Sequence, residues 1–263
     1  MQLDLTGKHA LVCGASQGIG RASAIELAEL GADVTLLARS GDALKALAES
    51  LPRIRDTQQH RWRTVDMQHT ATLQTTAAEI VAASPVHILI NNTGGPPGGS
   101  AHAAELSEFE NAFRQQLLAG QVLLQAVLAG MRASGYGRLV NVISTSVKEP
   151  IAGLGVSNTV RAAVAAWAKT LAGELAASGI TVNSVLPGYT RTNRLDNLLA
   201  AQAKSSGRSE RDIAESLLAT VPARRFGEAR EIAAVVAFLC TPAAAYVNGV
   251  SIAVDGGRTR SLS

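Results

Sequence analysis

The chain has 263 residues, 47% of them hydrophobic and 17% charged, enough apolar material for a large core and unlike a disordered or fibrous composition. A net charge of +3 is mild, and no nucleic-acid motif accompanies the basic cluster Arg53, Arg55, Arg61 and Arg63, which reads as a solvated edge, so no nucleic-acid partner is expected. Two cysteines, Cys13 and Cys240, cannot build a disulfide framework, the N-terminus lacks a signal-peptide pattern, and no apolar run approaches the roughly 18 residues of a membrane span; the expectation is a cytoplasmic protein with no membrane partner.

In chain order, His9 to Cys13 is a short apolar run bounded by Gly7 and Gly14, which predicts a buried strand. Gly14, Gly18 and Gly20 then permit a tight turn, close backbone approach to a phosphate, and close packing of helix on strand. A helix from about Ile19 to Leu30 points its N-terminal amides back at that turn, Gly31 closes it, and Ala32 to Ala38 reads as a second strand.

This βαβ unit carries a specific likeness: Gly14-Ala-Ser-Gln-Gly-Ile-Gly20 resembles the glycine motif of the short-chain dehydrogenase/reductase family, with Cys13 where that family usually has Thr. Cys13 itself reads as a small buried filler. The resemblance implies an α/β fold of Rossmann type, a doubly wound, parallel, seven-stranded sheet with helices on both faces, forming one domain over residues 1–263. It also implies a dinucleotide held by Gly14, Ser16, Gln17, Gly18, Ile19 and Gly20. Ala38 occupies the place where an NAD-specific member carries an acid, and Arg39 follows it; an arginine can clamp a 2′-phosphate that an acid would repel, so the expected cofactor is NADP(H). As bare sequence, Arg39 is an exposed loop residue.

Ser40 is placed to cap a helix over Asp42 to Leu51, and a third strand is expected around Trp62 to Val65, followed by Asp66 and Met67. In the family an aspartate here accepts a hydrogen bond from the adenine amino group; alone, it could equally cap a helix. After a helix from Thr70 to Ala83, the fourth strand Val86 to Ile90 runs into Asn91-Asn92-Thr93-Gly94, similar to the family's Asn-Asn-Ala-Gly motif and expected beside the adenosine ribose. His87 reads as a packing residue. The loop Gly95-Pro-Pro-Gly-Gly-Ser100 can admit a flat ligand or simply connect, and His102 just beyond it is the one imidazole placed near a substrate.

Ser107-Glu-Phe-Glu110 has capping-box spacing and opens a predicted helix to about Arg132. By resemblance this helix presents an asparagine to a water; the matching position is Gln116. A fifth strand, Arg138 to Ile143, delivers Ser144, which matches the family's catalytic serine. The partner motif Tyr-x-x-x-Lys falls at positions 157 and 161, where this chain has Ser157 and Arg161. Outside the family frame these are a helix N-cap and an exposed first-turn residue; inside it, their spacing puts both on the helix face toward the nicotinamide, where Arg161 is expected to bind the cofactor through the nicotinamide ribose. Lys148 is the reserve candidate for a proton donor, with a solvated loop lysine as the plain alternative, and no metal site is expected. The small-residue helix after Ser157 and the apolar final strand imply, by resemblance, a homo-oligomer, a tetramer or dimer.

The sixth strand, Thr181 to Leu186, leads to Pro187-Gly188-Tyr-Thr190-Arg-Thr192, which resembles the motif that holds the nicotinamide carboxamide through Pro187, Gly188, Thr190 and Thr192. Arg191 to Val221 reads as a polar helical excursion broken near Gly207, by resemblance a substrate lid. A helix ending at Cys240 and a strand from Val250 to Val254 complete the pattern. Three functions stay open: an NADP(H)-dependent oxidoreductase of small molecules with an altered site, a non-catalytic NADP(H)-binding protein, and a conventional carbonyl or 3-oxoacyl reductase.

Overall fold

The computed structural model describes residues 1–262. Strand β1 (His9–Cys13) shows how the sequence builds two layers: Ala10 and Val12 face one apolar cluster, Leu11 and Cys13 the other. Alternation with both sides apolar is the mark of a strand covered on both faces. Around it run α1 (Gly18–Glu29), β2 (Asp33–Ala38), α2 (Gly41–Ser50), β3 (His60–Thr64), α3 (Thr70–Ala83), β4 (Ile88–Asn91), α4 (Leu106–Phe113), α5 (Ala119–Ala133), β5 (Gly137–Val142), α6 (Gly155–Leu175) and β6 (Ile180–Pro187). Then follow β7 (Thr190–Arg191), α7 (Asn193–Ser206), α8 (Glu210–Ala219), β8 (Gly227–Glu228), α9 (Ala229–Cys240) and β9 (Ser251–Val254).

Seven strands form one parallel sheet in the order β3-β2-β1-β4-β5-β6-β9, with Val12 paired to both Leu36 and Ile90, and β7 pairs with β8 separately. Leu27 of α1, Leu44 and Leu47 of α2, and Ile232 and Val236 of α9 cover one face. Leu73 and Ile80 of α3, Leu123 and Met131 of α5, and Leu171 and Leu175 of α6 cover the other. The expected Rossmann-type, doubly wound architecture is thus the observed one. Strand order reverses between β1 and β4, and open α/β sheets bind ligands in the crevice at that switch point. No helix among the described residues is long and apolar enough to cross a membrane.

Several local expectations need correction. The helix after the glycine-rich loop starts at Leu106, before Ser107, and it is Glu108 that accepts the Glu105 N–H at 2.9 Å. The long helix expected to about Arg132 is present without interruption from Leu106 to Ala133, with α4 passing through a π-helical turn over Arg114–Leu118 into α5. Ser40 does precede α2, but its side chain makes no capping bond. Of the basic cluster, Arg53 and Arg63 are exposed while Arg55 donates to the Gly31 carbonyl at 2.8 Å. His87 accepts the His9 N–H on Nδ1 at 3.1 Å, and burial lowers its pKa, as suits a neutral packing imidazole. Both cysteines are buried and free; burial raises each thiol to about 12.

Candidate active site

The turn between β1 and α1 is shaped by what its glycines lack. Gly14 has φ +60°, and a Cβ there would stand 2.5 Å from the Asn92 carbonyl oxygen; one on Gly20 would stand 2.3 Å from the Gly14 carbonyl oxygen. Asn92 at the end of β4 donates its side-chain amide to the Cys13 and Gly14 carbonyls at 3.3 and 3.4 Å, tying the two strand ends on either side of the switch point. Gln17 makes no side-chain cap on α1; it accepts instead from Asn193 at the start of α7, at 3.0 Å. Thr192 lies over Gly18, its methyl 3.2 Å from where a Cβ would be. The result is a side-chain-free cradle at a helix N-terminus, which fits a diphosphate. Arg39 and Asp66 follow the carboxyl ends of β2 and β3; Arg39 is exposed, and Asp66 accepts the Gln68 N–H at 3.0 Å without being the N-cap of α3. Gly188 is fixed by its N–H to the Val254 carbonyl at 3.0 Å, and the Thr190 hydroxyl donates to the Gly188 carbonyl at 3.1 Å.

Ser144 sits two residues past the end of β5 and opens a short 3-10 turn, where its Oγ accepts the Ser146 N–H at 3.1 Å. That bond fixes the oxygen and leaves the hydroxyl proton free to point elsewhere. Helix α6 starts beside it because Asn158 clasps the preceding loop, donating to the Ile151 carbonyl at 2.9 Å. Ser157 lies inside this helix, whose N-cap is Leu154, and it is 2% exposed; Arg161, one turn on, is 6% exposed. The N-cap and surface readings of this pair therefore fail. Arg161 donates from Nε to Ser157 Oγ at 3.2 Å and from Nη1 to the Val142 carbonyl at 3.4 Å, which sets its guanidinium two residues before Ser144. Burial, and then the charge of Arg194, lower the Arg161 pKa to about 9. It remains a cation at neutral pH.

Gln116 is buried in the π-helical turn, and neither atom of its amide has a hydrogen-bond partner. It lines a cavity of about 10 Å³ together with Met67, Asn91, Thr93 and Asn141. Asn91 Oδ1 and Asn141 Nδ2 are likewise unpartnered there. Four buried polar atoms round a space the size of one water make a polar pocket suited to a bridging solvent molecule. Met67 and Thr93 thus line this pocket, whereas Gly94 is exposed.

Lys148 lines a different cleft, with Lys169, Ser184 and Ser251, that includes neither Ser144 nor Arg161. Its neighbour Glu149 accepts the Arg260 and Ser261 N–H groups at 2.6 and 2.8 Å, strapping the chain's last described residues to this segment. His102 is exposed. What sequence reasoning missed is Arg194: it reaches from the first turn of α7 to the Gly95 carbonyl at 3.3 Å, and a Cβ on Gly95 would come within 2.5 Å of its guanidinium. Only the glycine's position gave a hint of it.

With this geometry in place, comparison with known proteins is informative. Residues 14–259 match the family model described as Enoyl-(Acyl carrier protein) reductase. A 3-oxoacyl-acyl-carrier-protein reductase of Vibrio harveyi is 34% identical over 258 residues, covering 97% of this chain and 98% of the relative. The chain belongs to the short-chain dehydrogenase/reductase family. Within that family it is also 27% identical to the NADPH-dependent reductase of Bacillus subtilis over 98% of this chain and 100% of the relative. The L-sorbose reductase of Gluconobacter frateurii, solved with NADPH and L-sorbose, superposes with a TM-score of 0.91 at 28% identity, each chain covered completely.

Proposed function

We propose that this short-chain dehydrogenase/reductase is an NADP(H)-dependent oxidoreductase of small molecules that works without the family's Tyr-x-x-x-Lys pair. The cradle Gly14 to Gly20, with Ser16, Gln17 and Ile19, takes the diphosphate; Arg39 takes the 2′-phosphate. Asp66 and Met67 border the adenine, Asn92, Thr93 and Gly94 the adenosine ribose, and Pro187, Gly188, Thr190 and Thr192 the carboxamide. Bound there, NADP(H) supplies hydride chemistry. The α7–α8 excursion serves as the substrate lid, and the protein is a homo-oligomer, a tetramer or dimer.

The observation that carries the reading is the buried contact of Arg161 with Ser157, next to the end of β5. A guanidinium is a fixed cation with no proton to exchange near neutrality, so it stabilises negative charge developing on the substrate without acting as an acid. Ser144 and Ser157 contribute hydrogen bonds, Gln116 holds a water, and the proton comes from solvent. Ketone reduction in this site lacks a tuned phenol, a loss on the order of 10²–10⁴ in rate.

The test is NADPH oxidation by the purified protein over carbonyl, imine and activated-alkene compounds, with Lys148→Ala and the double variant Ser157→Tyr/Arg161→Lys alongside. Simple ketones should be reduced faster by the double variant than by the wild type. Equal rates, unaffected by Lys148→Ala, overturn the reading in favour of a conventional reductase of the 3-oxoacyl kind. NADPH binding with no turnover anywhere in the screen favours a non-catalytic binding protein, to which the lack of an ionisable acid at position 157 also speaks.

A further inference from the structure

After β9 the chain turns back across the site. Asp255 starts the turn, its carboxylate accepting the Gly257 N–H at 2.9 Å and the Thr259 N–H at 2.7 Å. Gly256 and Gly257 adopt φ of +65° and +85°, and a Cβ on Gly256 would stand 2.9 Å from Val221. The Gly256 carbonyl also accepts the Ala223 N–H at 3.1 Å, so the segment is seated on the chain that leaves α8. Arg258 is thereby sent over the Tyr189 ring, 4.9 Å from its centroid, with Nη1 3.5 Å from the Thr145 hydroxyl. Further on, Glu149 Oε1 accepts the Arg260 and Ser261 N–H groups at 2.6 and 2.8 Å.

The residues gripped are those that hold Ser144. Thr145 and Glu149 are the two ends of the turn that Ser144 opens: the Thr145 carbonyl accepts the Lys148 and Glu149 N–H groups at 3.0 and 3.1 Å, and the Ser144 carbonyl accepts the Val147 N–H at 3.2 Å. A grip at both ends fixes the turn as a unit, and with it the oxygen of Ser144. Tyr189 follows Pro187 and Gly188, and Gly188 has room only for hydrogen, because a Cβ there would be 2.6 Å from Asp255 Cβ. Arg258 thus spans the serine turn and the loop proposed for the carboxamide. Its Nε, the Thr259 hydroxyl and the Ser146 hydroxyl are buried and find no partner among the described residues. A contact that served stability alone would have its buried polar atoms satisfied.

We infer that residues 255–261 form a positioning strap for the active site, with Arg258 and Glu149 as positioning residues that hold Ser144 in register with the loop after β6. The inference rests on the oxidoreductase reading and adds to it two side chains that act through the serine turn, away from the reacting atoms. The strength of the strap lies at Glu149, where two N–H groups converge on one charged oxygen. Arg258, with its planar face on an aromatic ring and one long donated bond, sets the spacing between the two walls.

Hydrogen exchange of the full-length protein, read by mass spectrometry in peptides covering residues 144–149, reports the Ser146 N–H that Ser144 Oγ holds. Arg258→Met and Glu149→Ala should each speed exchange there about tenfold or more, and the double variant no further, since either change releases the same strap. Glu149→Gln keeps an acceptor for the two N–H groups and should stay within about threefold of the wild type. With a compound turned over in the NADPH-oxidation screen, Arg258→Met should lose about tenfold in kcat while KM for NADPH stays within about twofold. Exchange at the wild-type rate in either single variant overturns the inference, as does acceleration shared by the whole sheet, which marks a general loss of stability. Fully multiplied effects in the double variant overturn it too, for they describe two separate contacts. So does local acceleration with kcat unchanged. Local acceleration with no compound turned over leaves the strap standing and removes only the oxidoreductase reading.

Discussion

Replacing Arg161 with methionine should make the protein more stable while it disables the site. Folding lowers the guanidinium's pKa from its ordinary value to about 9, chiefly through burial. At about 1.4 kcal/mol per unit, keeping it charged at pH 7 costs the fold roughly 5 kcal/mol. Methionine fills similar volume, removes that cost, and leaves the Val142 carbonyl and Ser157 Oγ without their donor, a loss of about 1 kcal/mol each for bonds this long. A net gain of about 3 kcal/mol corresponds to a rise in Tm of roughly 6–12 °C for a chain of this size. The cost is present in full below the folded pKa; between the folded and unfolded values the unfolded chain binds more protons, so wild-type stability recovers with rising pH. The gap between variant and wild type should therefore be constant from pH 7 to about 9 and narrow only as pH rises above 9 toward the ordinary arginine value. Thermal unfolding followed by circular dichroism, at equal protein concentration and without added anions, measures it. A variant that melts below the wild type at pH 7 refutes the idea that this cation is held against its own solvation.

Gly20→Ala must push a methyl against the Gly14 carbonyl, so NADPH affinity by fluorescence titration should fall at least about tenfold, with a stability loss of about 1–3 kcal/mol. Arg39→Ala should weaken NADPH by roughly 10- to 100-fold and leave NADH unchanged; equal affinity of the wild type for both cofactors would count against the assignment. Light scattering should return a multiple of the 27.2 kDa chain mass at micromolar concentration, and a monomer would remove the proposed assembly.

The inner strands of the sheet were legible because they announce themselves locally, as β1 does in the apolar run Ala10 to Cys13, whereas the polar edge strand β3 lies at His60–Thr64 instead of Trp62 to Val65 and the two-residue strands β7 and β8 left no sequence signal. Helix starts were less so. The bond onto the Glu105 N–H comes from a glutamate three residues on, with a glutamate rather than Ser or Thr at the cap, so the spacing around Ser107 was the more persuasive pattern and the wrong one. The π-helical turn that buries Gln116 leaves no periodic trace, since one wider turn shifts the apolar stripe by less than a residue type can report. At the site, residue types were readable but charge balance was not. That Arg161 is buried without a counter-ion, and that Arg194 arches over Gly95, depend on which segments meet in space, and the two arginines lie on different helices.

The two thiols offer an experimental handle. A thiol held near 12 in pKa and sealed in the core gives almost no thiolate at neutral pH, so Cys13 and Cys240 should ignore alkylating reagents while the protein is native. Each belongs to the layer of core packed between α1, α2 and α9 or to the one opposite it, so labelling at either position clocks the opening of one face of the sheet. A single cysteine introduced on the outer side of α7 would then be the lone reactive sulfur in the folded state, and a dye attached there would report the movement of that helix over the glycine loop as ligand arrives, with no need to remove a native residue.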